Sequence, residues 1–486
     1  MAATLRMQPE DSTYWLVREA FGWSVVLQIV WRFPAHPARA DLELFNKRLC
    51  DGVLNRRLVR ASVPVARHRW AHADFAPELS VDGTPIAGDS VEKWSGAELY
   101  SVPLDPEHGP AWRLRGVAVD DGGFVLSLTA LHLVADGRTM VDAAMDALAG
   151  RAADPLSGAH PVGPPAVNRE TNLFDSIGTV LRDVVDGAGQ VAAAGRGIAS
   201  AAATLVRNRA VGRSTGPITE QSASPVGERR TAGAIEGRQI SERTTVERPI
   251  KAEAHLRSPR AQCAWMTVSV DVAHWDSIAQ RHGGTANTLF IAVLAGALRA
   301  SGYADGGPLK LGIPVSRRTE DDDRGNATAG VSVLLTDELV TGGDLGPLRR
   351  LCKEAFTRLS AGQRAAHVHL LPLVSLLPTS LVVRAATAGS GMPDAVASNL
   401  GDFAGDLREV GGVRAEAVAF RGIAQGVDPD LTYRFGDGLQ SWAIRSGETM
   451  TFSVAAFDEE RFPDAEELRR LLSGELDGWG IEHRMW

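Results

Sequence analysis

The stretch LHLVADG contains the residues whose types and spacing could do chemistry. His132 is followed, after three residues, by Asp136 and Gly137. A neutral imidazole has a pKa near physiological pH, so His132 could serve as a general base. Alternatively, His132 could be a hydrogen-bonded core histidine, and Asp136 could be the N-cap of a helix. The seven residues by themselves leave both interpretations open.

A metal site is the least favoured interpretation of this stretch. His132 and Asp136 would share a face only if both lay on one helix, and no cluster of His or Cys residues stands near them. The three cysteines are far apart and form no CxxC pair, which is typical of reduced thiols rather than of a disulfide framework or a zinc site. We therefore expect no metal.

Nucleotide cofactors and serine hydrolysis are also disfavoured. Gly187 and Gly189 in GAGQVA match a dinucleotide-binding fingerprint by letters, but they follow a helical run instead of a strand. No GxSxG elbow is expected, because the letters GRSTG at 212–216 lie in the polar segment rich in Gly and Pro and not between a strand and a helix. The GxxxxGK[ST] motif does not occur in the sequence. We therefore expect no bound cofactor.

The elements that position His132 can be inferred from hydrophobic periodicity. FVLSLTALHL alternates as a strand does, and GRTMVDAAMDALAG repeats apolar residues at helical spacing. This pattern predicts that His132 ends a strand and that Asp136 begins a helix. Strand-like and helical segments alternate up to about residue 160 and again after residue 262, which predicts an α/β protein of the mixed α+β, two-layer kind.

The chain of 486 residues is too long for one ordinary domain. Helical spacing over 174–208, with an apolar side, is followed by a polar segment rich in Gly and Pro that is typical of a linker. We predict an N-terminal subdomain over 1–165, a helical crossover and polar linker over 166–260, and a C-terminal subdomain over 261–486.

Composition limits the partners and the location of the protein. The net charge of -8 and the lack of a long Lys/Arg run make nucleic acid an unexpected partner. The N-terminus does not show the pattern of a signal peptide. The apolar segment 367–383 is barely long enough to span a bilayer and is interpreted as buried or interfacial. We expect a cytoplasmic protein in which 367–383 and 174–208 form the core, line a lipid channel or rest peripherally on a membrane.

Taken together with the second half of the chain, LHLVADG resembles the HxxxDG motif of the acyltransferase superfamily that has the chloramphenicol acetyltransferase fold. This superfamily includes nonribosomal peptide condensation domains, polyketide-associated acyltransferases and bacterial wax ester synthase/diacylglycerol acyltransferases. The upstream segment SVPLDPEHGPAWRLRGVAVDDGGFVLSL is similar to the family's PLD, its P.W and its strand into the motif. The segments TANTLFIAVLAGALR, LGIPVSRRTEDDDRGNA and ASNLG resemble further family segments in the same order. The resemblance covers roughly 100–150 and 262–456 and implies two chloramphenicol acetyltransferase-like subdomains with a tunnel at their interface.

The resemblance also implies roles for the residues of the motif. His132 would be the general base that takes the acceptor's proton and returns it to the departing thiol. Asp136 would point away from the substrate and pair with the arginine of PVSRR, either Arg318 or, as the fallback, Arg317. Gly137 would keep the turn unobstructed.

Four further residues fall on family segments of the C-terminal half. Ser398 and Asn399 of SNLG would face the tunnel and contact the oxyanion or the donor, or they would simply end a strand. Asn287 and Asn326 are expected to have structural roles.

Two positions depart from the family pattern. Many relatives have two histidines before xxxDG, and the first of these is Leu131 here. The Asn-Asp pair of wax ester synthases is Asn287-Thr288, and SNLGD does not contain the proline of their NVPGP. A relative that acts on another alcohol, sugar or amine is therefore favoured over the wax ester branch.

The function implied by the resemblance is transfer of an acyl group from a CoA or carrier-protein thioester to a hydroxyl acceptor in a lipid, glycolipid or secondary metabolite. The thioester would be a co-substrate, with no separate cofactor. Two alternatives stay open. One is a condensation-like enzyme that docks a carrier protein and uses an amine or alcohol acceptor. The other is a catalytically idle member that binds a lipid or a partner. The sequence carries no signal for an oligomeric state.

Overall fold

The computed structural model of the chain describes 5–63, 65–73, 75, 77–151, 156, 179–192, 195, 263–319, 322, 324–336, 339–361, 393–427 and 438–486. The apolar segment 367–383 and the polar linker lie outside these residues, as does most of the expected helix over 174–208.

Helices and strands alternate along both halves of the described chain, as the sequence predicted. In the first half the elements are α1 (Pro9–Phe21), β1 (Ser24–Phe33), α2 (Arg39–Cys50), β2 (Arg56–Val59), β3 (Arg69–His72), β4 (Ser80–Ile86), α3 (Val91–Ser101), β5 (Trp112–Val119), β6 (Phe124–Leu131), α4 (Gly137–Leu148) and α5 (179–192). In the second half they are β7 (Ala264–Asp271), α6 (Val272–Arg281), α7 (Ala286–Ala300), β8 (Leu309–Ser316), β9 (Thr328–Leu335), α8 (Gly346–Ser360), β10 (Ala395–Phe403), β11 (Glu409–Val410), β12 (Val413–Arg414), β13 (Ala417–Gln425), β14 (Leu439–Ser446), β15 (Thr449–Ala456), α9 (Ala465–Gly478) and β16 (His483–Met485).

Two mixed sheets organise these elements. The first has the strand order β13-β1-β6-β5-β4, and the second has the order β16-β7-β15-β14-β10-β8-β9. Strands β2 and β3 form a separate pair, as do β11 and β12. The mixed α/β architecture that the sequence predicted is confirmed.

Strand β6, which leads into the LHLVADG stretch, is central in the first sheet. It pairs antiparallel with β1 on one side and with β5 on the other. All eight of its residues are buried, as expected for a strand covered on both faces. Its end is therefore a rigid base for the residue that follows, His132.

Strand β13 belongs to the first sheet although it lies in the second half of the chain. It pairs antiparallel with β1 over nine residues, from Ser24 opposite Gln425 to Arg32 opposite Ala417. Without it, the apolar strand β1 would have an exposed edge of unpaired backbone groups. The sequence pattern assigned this whole region to the C-terminal subdomain and did not predict the crossover.

A buried charge cluster also joins the two halves. Arg421 of β13 is fully buried and donates to Glu92 and Ser95 of α3, at 2.6 and 2.8 Å. The same guanidinium donates to Thr267 of β7, the strand of the second sheet that follows the crossover region, at 2.8 Å. One side chain of β13 therefore bonds to two further elements, α3 of the first half and β7 of the second sheet.

The core of the second half is built around α7. Its residues from Thr288 to Leu298 are all buried, which is typical of a helix that is surrounded by protein on every side. Gly296 allows a close approach, because any side chain there would overlap with the buried carboxylate of Glu475 on α9.

Helix α5 is attached through its polar side. Asp183 is fully buried and pairs with Arg6, while Asp186 pairs with Arg67, both at 2.7 Å. Its large apolar side chains are exposed: Val180, Leu181, Val184, Val185 and Val191. The prediction of a helix is confirmed over 179–192. The prediction that its apolar side belongs to the core is wrong for this described part, because these side chains are exposed. The described helices include none with the length and apolar character needed to cross a membrane.

Candidate active site

His132 directly follows β6 and is half-buried. Its backbone amide donates to the carbonyl of Val25 in β1, which ties the start of the loop to the first sheet. Leu131, at the position where many relatives have a first histidine, is only 2% exposed and packs in an apolar cluster with Val26 and Ile423. A second imidazole at that position would therefore face the core.

Asp136 caps α4 and also bonds to the other half of the chain. Its Oδ1 accepts from the Thr139 amide at 2.9 Å, and its Oδ2 accepts from the Ala327 amide at 2.8 Å. The hydroxyl of Thr328 donates to Oδ2 at 3.1 Å. Burial alone would raise the pKa of Asp136, but the two amides and the charge of Arg318 outweigh it and lower the pKa. The carboxylate is therefore ionised. Asp136 is both the N-cap of α4 and the partner of an arginine, so the two interpretations of this residue are compatible.

Arg318 is the arginine that pairs with Asp136, at 3.2 Å from Nη2 to Oδ2. Its Nη1 also donates to the carbonyls of Asp322 and Arg324, at 3.0 and 2.7 Å. Arg317, in contrast, is exposed. The planar guanidinium therefore links the loop before β9 to the start of α4.

The two loops that meet at Arg318 also touch backbone to backbone. The Gly325 carbonyl accepts from the Asp136 amide at 2.9 Å and from the Thr139 hydroxyl at 2.8 Å. A side chain at Gly325 would overlap with the carbonyl oxygen of Val134. Glycine is needed at this position because the neighbouring backbone leaves no room for a Cβ.

Gly137 is similarly close to the SNLG segment of β10. A side chain at Gly137 would overlap with Leu400, so the start of α4 lies directly against this strand. The side-chain Nδ2 of Asn399 donates to the side-chain oxygen of Asn287 at 3.3 Å. The side-chain oxygen of Asn399 accepts from the backbone amide of Gly401 at 3.0 Å. Ser398 is half-buried in the same strand, opposite Trp442 of β14.

The tautomer of His132 is set by Asn326. The Asn326 Nδ2 group donates to the Asp11 carboxylate at 2.9 Å and to the Leu133 carbonyl at 3.1 Å. Because both amide hydrogens face acceptors, the amide oxygen faces Nδ1 of His132, at 3.0 Å. An oxygen in this position accepts, so Nδ1 carries the hydrogen and Nε2 has the lone pair. Asn326 was expected to be only structural, and its segment RGNA was the available signal for this contact.

Helix α1 contributes two residues that the sequence reasoning missed. Asp11 is buried, which raises its pKa to about 6 against the hydrogen bonds from Gln8 and Asn326. Tyr14 stacks on the imidazole with ring centroids 4.0 Å apart, and its hydroxyl lies 3.0 Å from Nε2. No motif in α1 pointed to either residue, because the resemblance begins near residue 100.

The imidazole of His132 is neutral at physiological pH. Burial lowers its pKa, and this outweighs the opposing effects of the Asp136 charge and the hydrogen bond to Asn326. Within the described ranges, His, Cys, Asp and Glu side chains form no group of three or more that could hold a metal ion. The site therefore presents one neutral imidazole that is held by both halves of the chain, with its Nε2 lone pair beside the Tyr14 hydroxyl.

Comparisons with known proteins give matches at the level of structure. No family model matches the sequence, and no curated protein matches it either. The wax ester synthase/diacylglycerol acyltransferase from Marinobacter aquaeolei VT8 aligns over 98% of this chain and 98% of its own, with 15% identity and a TM-score of 0.52. The first condensation domain of the CDA synthetase aligns over 99% of both chains, with 12% identity and a TM-score of 0.54. A variant of the starter condensation domain of the rhizomide synthetase, solved in complex with C8-CoA, aligns over 99% and 96%, with 13% identity and a TM-score of 0.50.

These matches cover nearly the whole chain and show its fold. The protein has the two-subdomain fold of condensation domains and wax ester synthases, that is, the chloramphenicol acetyltransferase-like fold. The fold predicted from the sequence is confirmed, while the interfacial tunnel stays a prediction.

Proposed function

We propose that the protein is an acyltransferase that moves an acyl group from a CoA thioester to a hydroxyl acceptor, such as that of a lipid, glycolipid or secondary metabolite. The observation that carries this proposal is the state of His132. Its imidazole is neutral, its Nδ1 is held by Asn326 from the second half of the chain, and its Nε2 has a lone pair that can accept a proton. A base for acyl transfer needs these properties. A structural neighbour solved with C8-CoA supports a CoA thioester as donor.

The chemistry would proceed by direct attack of the acceptor on the thioester. The acceptor oxygen forms a bond to the carbonyl carbon while its proton ends on Nε2 of His132. The tetrahedral intermediate then breaks its C–S bond, and the departing thiolate takes the proton back. No covalent acyl-enzyme is needed for this sequence.

Asp136 and Arg318 would act on the base from a distance. Both are engaged in holding the loop that starts at His132, and the Asp136 charge stabilises the imidazolium that forms during the reaction. Ser398 is our choice for a contact with the developing oxyanion. Asn399 is less suited to that role, because its side-chain amide is oriented by a bond donated to Asn287 and a bond accepted from the Gly401 amide.

The test is release of free thiol, followed with DTNB, from a series of acyl-CoAs offered with alcohol, sugar and amine acceptors. The three free cysteines of the chain also react with DTNB, so acceptor-dependent release is the quantity to measure. We expect His132→Ala to lower the rate by about 100-fold to 10,000-fold. His108→Ala removes a side chain that is 84% exposed and should leave the rate unchanged.

Carrier-protein thioesters belong in the same series, since a response to these alone would favour the condensation-like alternative. If wild type and His132→Ala are equally inert with every donor and acceptor, the proposal is wrong and a binding role takes its place.

A further inference from the structure

The Nε2 lone pair of His132 already has a hydrogen-bond donor. Because Asn326 fixes the hydrogen on Nδ1, Nε2 can only accept, so the Tyr14 hydroxyl donates to it at 3.0 Å. An acceptor alcohol cannot donate to the same lone pair while this bond exists. The acceptor must therefore either displace the phenol or reach the imidazole through it.

Helix α1 is anchored in a way that opposes displacement of Tyr14. Asp11 and Tyr14 are three residues apart, so they lie on the same face of the helix. Asp11 bonds to Asn326, and Tyr14 both stacks on His132 and bonds to it. Further along the helix, Arg18 donates to Ser24 at 2.7 Å. Moving the phenol away together with its helix would break contacts at several points, and rotating the side chain alone would lose both the stacking and the hydrogen bond to His132.

The phenol is also suited to pass a proton on without losing its own. Burial raises the pKa of Tyr14, and the charges of Asp136 and Asp11 act in the same direction. The hydroxyl therefore stays protonated and gives up its hydrogen only when it receives another. Its oxygen keeps lone pairs that can accept from an incoming hydroxyl.

We propose that Tyr14 is a catalytic residue that relays the proton between the acceptor hydroxyl and His132. The inference rests on the proposed function. As the acceptor oxygen bonds to the thioester carbon, its O–H bond breaks and its hydrogen passes to the Tyr14 oxygen. The phenolic hydrogen passes to Nε2 in the same step. When the C–S bond breaks, the imidazolium returns a proton through the phenol to the thiolate, so both side chains regain their starting forms.

The decisive variant is Tyr14→Phe, which keeps the stacked ring and removes only the hydroxyl. The matched control is Tyr100→Phe. Tyr100 is half-buried in the same part of the molecule, and its hydroxyl bonds to Cys263 and Trp265. Single-turnover rates with acyl-CoA and the best acceptor should fall about 100-fold or more in Tyr14→Phe. The KM for the acyl donor should stay as in wild type, and Tyr100→Phe should keep the wild-type rate.

Two further readouts separate a relay from a structural role. Rates measured in mixtures of light and heavy water show how many protons move in the rate-limiting step. The dependence of the rate on the deuterium fraction should fit two transferred protons for wild type and one for the residual activity of Tyr14→Phe. A hydrogen bond to the Nε2 lone pair favours neutral imidazole, so its loss should raise the pKa of His132. The acidic limb of the kcat/KM profile should therefore move to higher pH in Tyr14→Phe.

The outcomes distinguish the relay from the function on which it rests. An inactive His132→Ala together with an unimpaired or faster Tyr14→Phe would overturn the relay and leave the base in place, with Tyr14 as a cap that the acceptor displaces. A wild-type rate that depends on a single proton would overturn it as well. If His132→Ala keeps the wild-type rate, the proposed function fails and the relay fails with it.

Discussion

Arg318 holds the backbone of the candidate site at several points. It donates to two carbonyls of its own loop and to the Asp136 carboxylate in the first half. It also donates to the Thr139 hydroxyl, at 2.6 Å. Asp136 is almost fully buried, so removal of the arginine would leave a buried charge without its counter-ion.

We expect Arg318→Ala to lower the free energy of unfolding by about 3 to 5 kcal/mol, since it leaves a buried carboxylate unpaired. Arg317→Ala, at the exposed neighbouring position, should change it by less than about 0.5 kcal/mol. Urea denaturation of the two variants measures both values. Equal losses would mean that the ion pair with Asp136 is not what holds this loop.

At the residue scale, sequence reasoning found the polar groups that lie in motifs. The pairing of Asp136 with Arg318 was anticipated through the resemblance, and the cap through local pattern. Asp11 and Tyr14 were not found, because their contacts with Asn326 and His132 join segments far apart in the chain. Local periodicity in α1 describes a helix and contains no information about the partner of its buried face.

At the scale of elements, the loop that contains Gly325 fits tightly against the candidate site. Its backbone lies against the loop after β6 with no space for a side chain. Any shift of this loop would change the position of Asn326, the next residue, and with it the hydrogen bond to His132.

We expect Gly325→Ala to lower the free energy of unfolding by about 1 to 3 kcal/mol, because the methyl group would overpack against the Val134 carbonyl. Acyl transfer should fall as well, as Asn326 loses its alignment. Gly330→Ala, on the following strand, meets nothing within 4 Å and should have neither effect. Thermal unfolding and the thiol-release rate would test this, and a fully active Gly325→Ala would contradict it.

Helices and strands were predicted best where the hydrophobic period changes at a residue that can cap a helix. β6 and α4 were placed correctly because alternation gives way to helical spacing at an N-cap. The partner of β13 was not predictable, since alternation marks a strand without naming its neighbour. Helix α5 shows a related limit, because its apolar spacing predicted a helix but not that its acidic side would be the attached one.

At the scale of the whole molecule, strand β13 and the side chain of Arg421 join the two sheets. We expect Arg421→Met to lower the free energy of unfolding by about 3 to 5 kcal/mol, since Glu92 would lose its buried partner. Arg484→Met, where the side chain is 60% exposed, removes only a surface contact and should have little effect.

Amide hydrogen exchange tests whether the two sheets are coupled. Protection in β1 of the first sheet and in β7 of the second should decrease together in Arg421→Met, because the lost contacts connect both. A decrease confined to one sheet would show that the halves open independently.

The pairing of β1 with β13 also has a consequence for the way the chain folds during synthesis. β1 emerges from the ribosome long before its partner strand, because Arg32 and Ala417, which pair, are separated by most of the sequence. Until then, the apolar edge of SVVLQIVWRF is open to pairing with other chains. Contacts between such distant segments also slow folding. Nascent chains that end before residue 417 should therefore depend on chaperones, and chains that include β13 should lose this dependence.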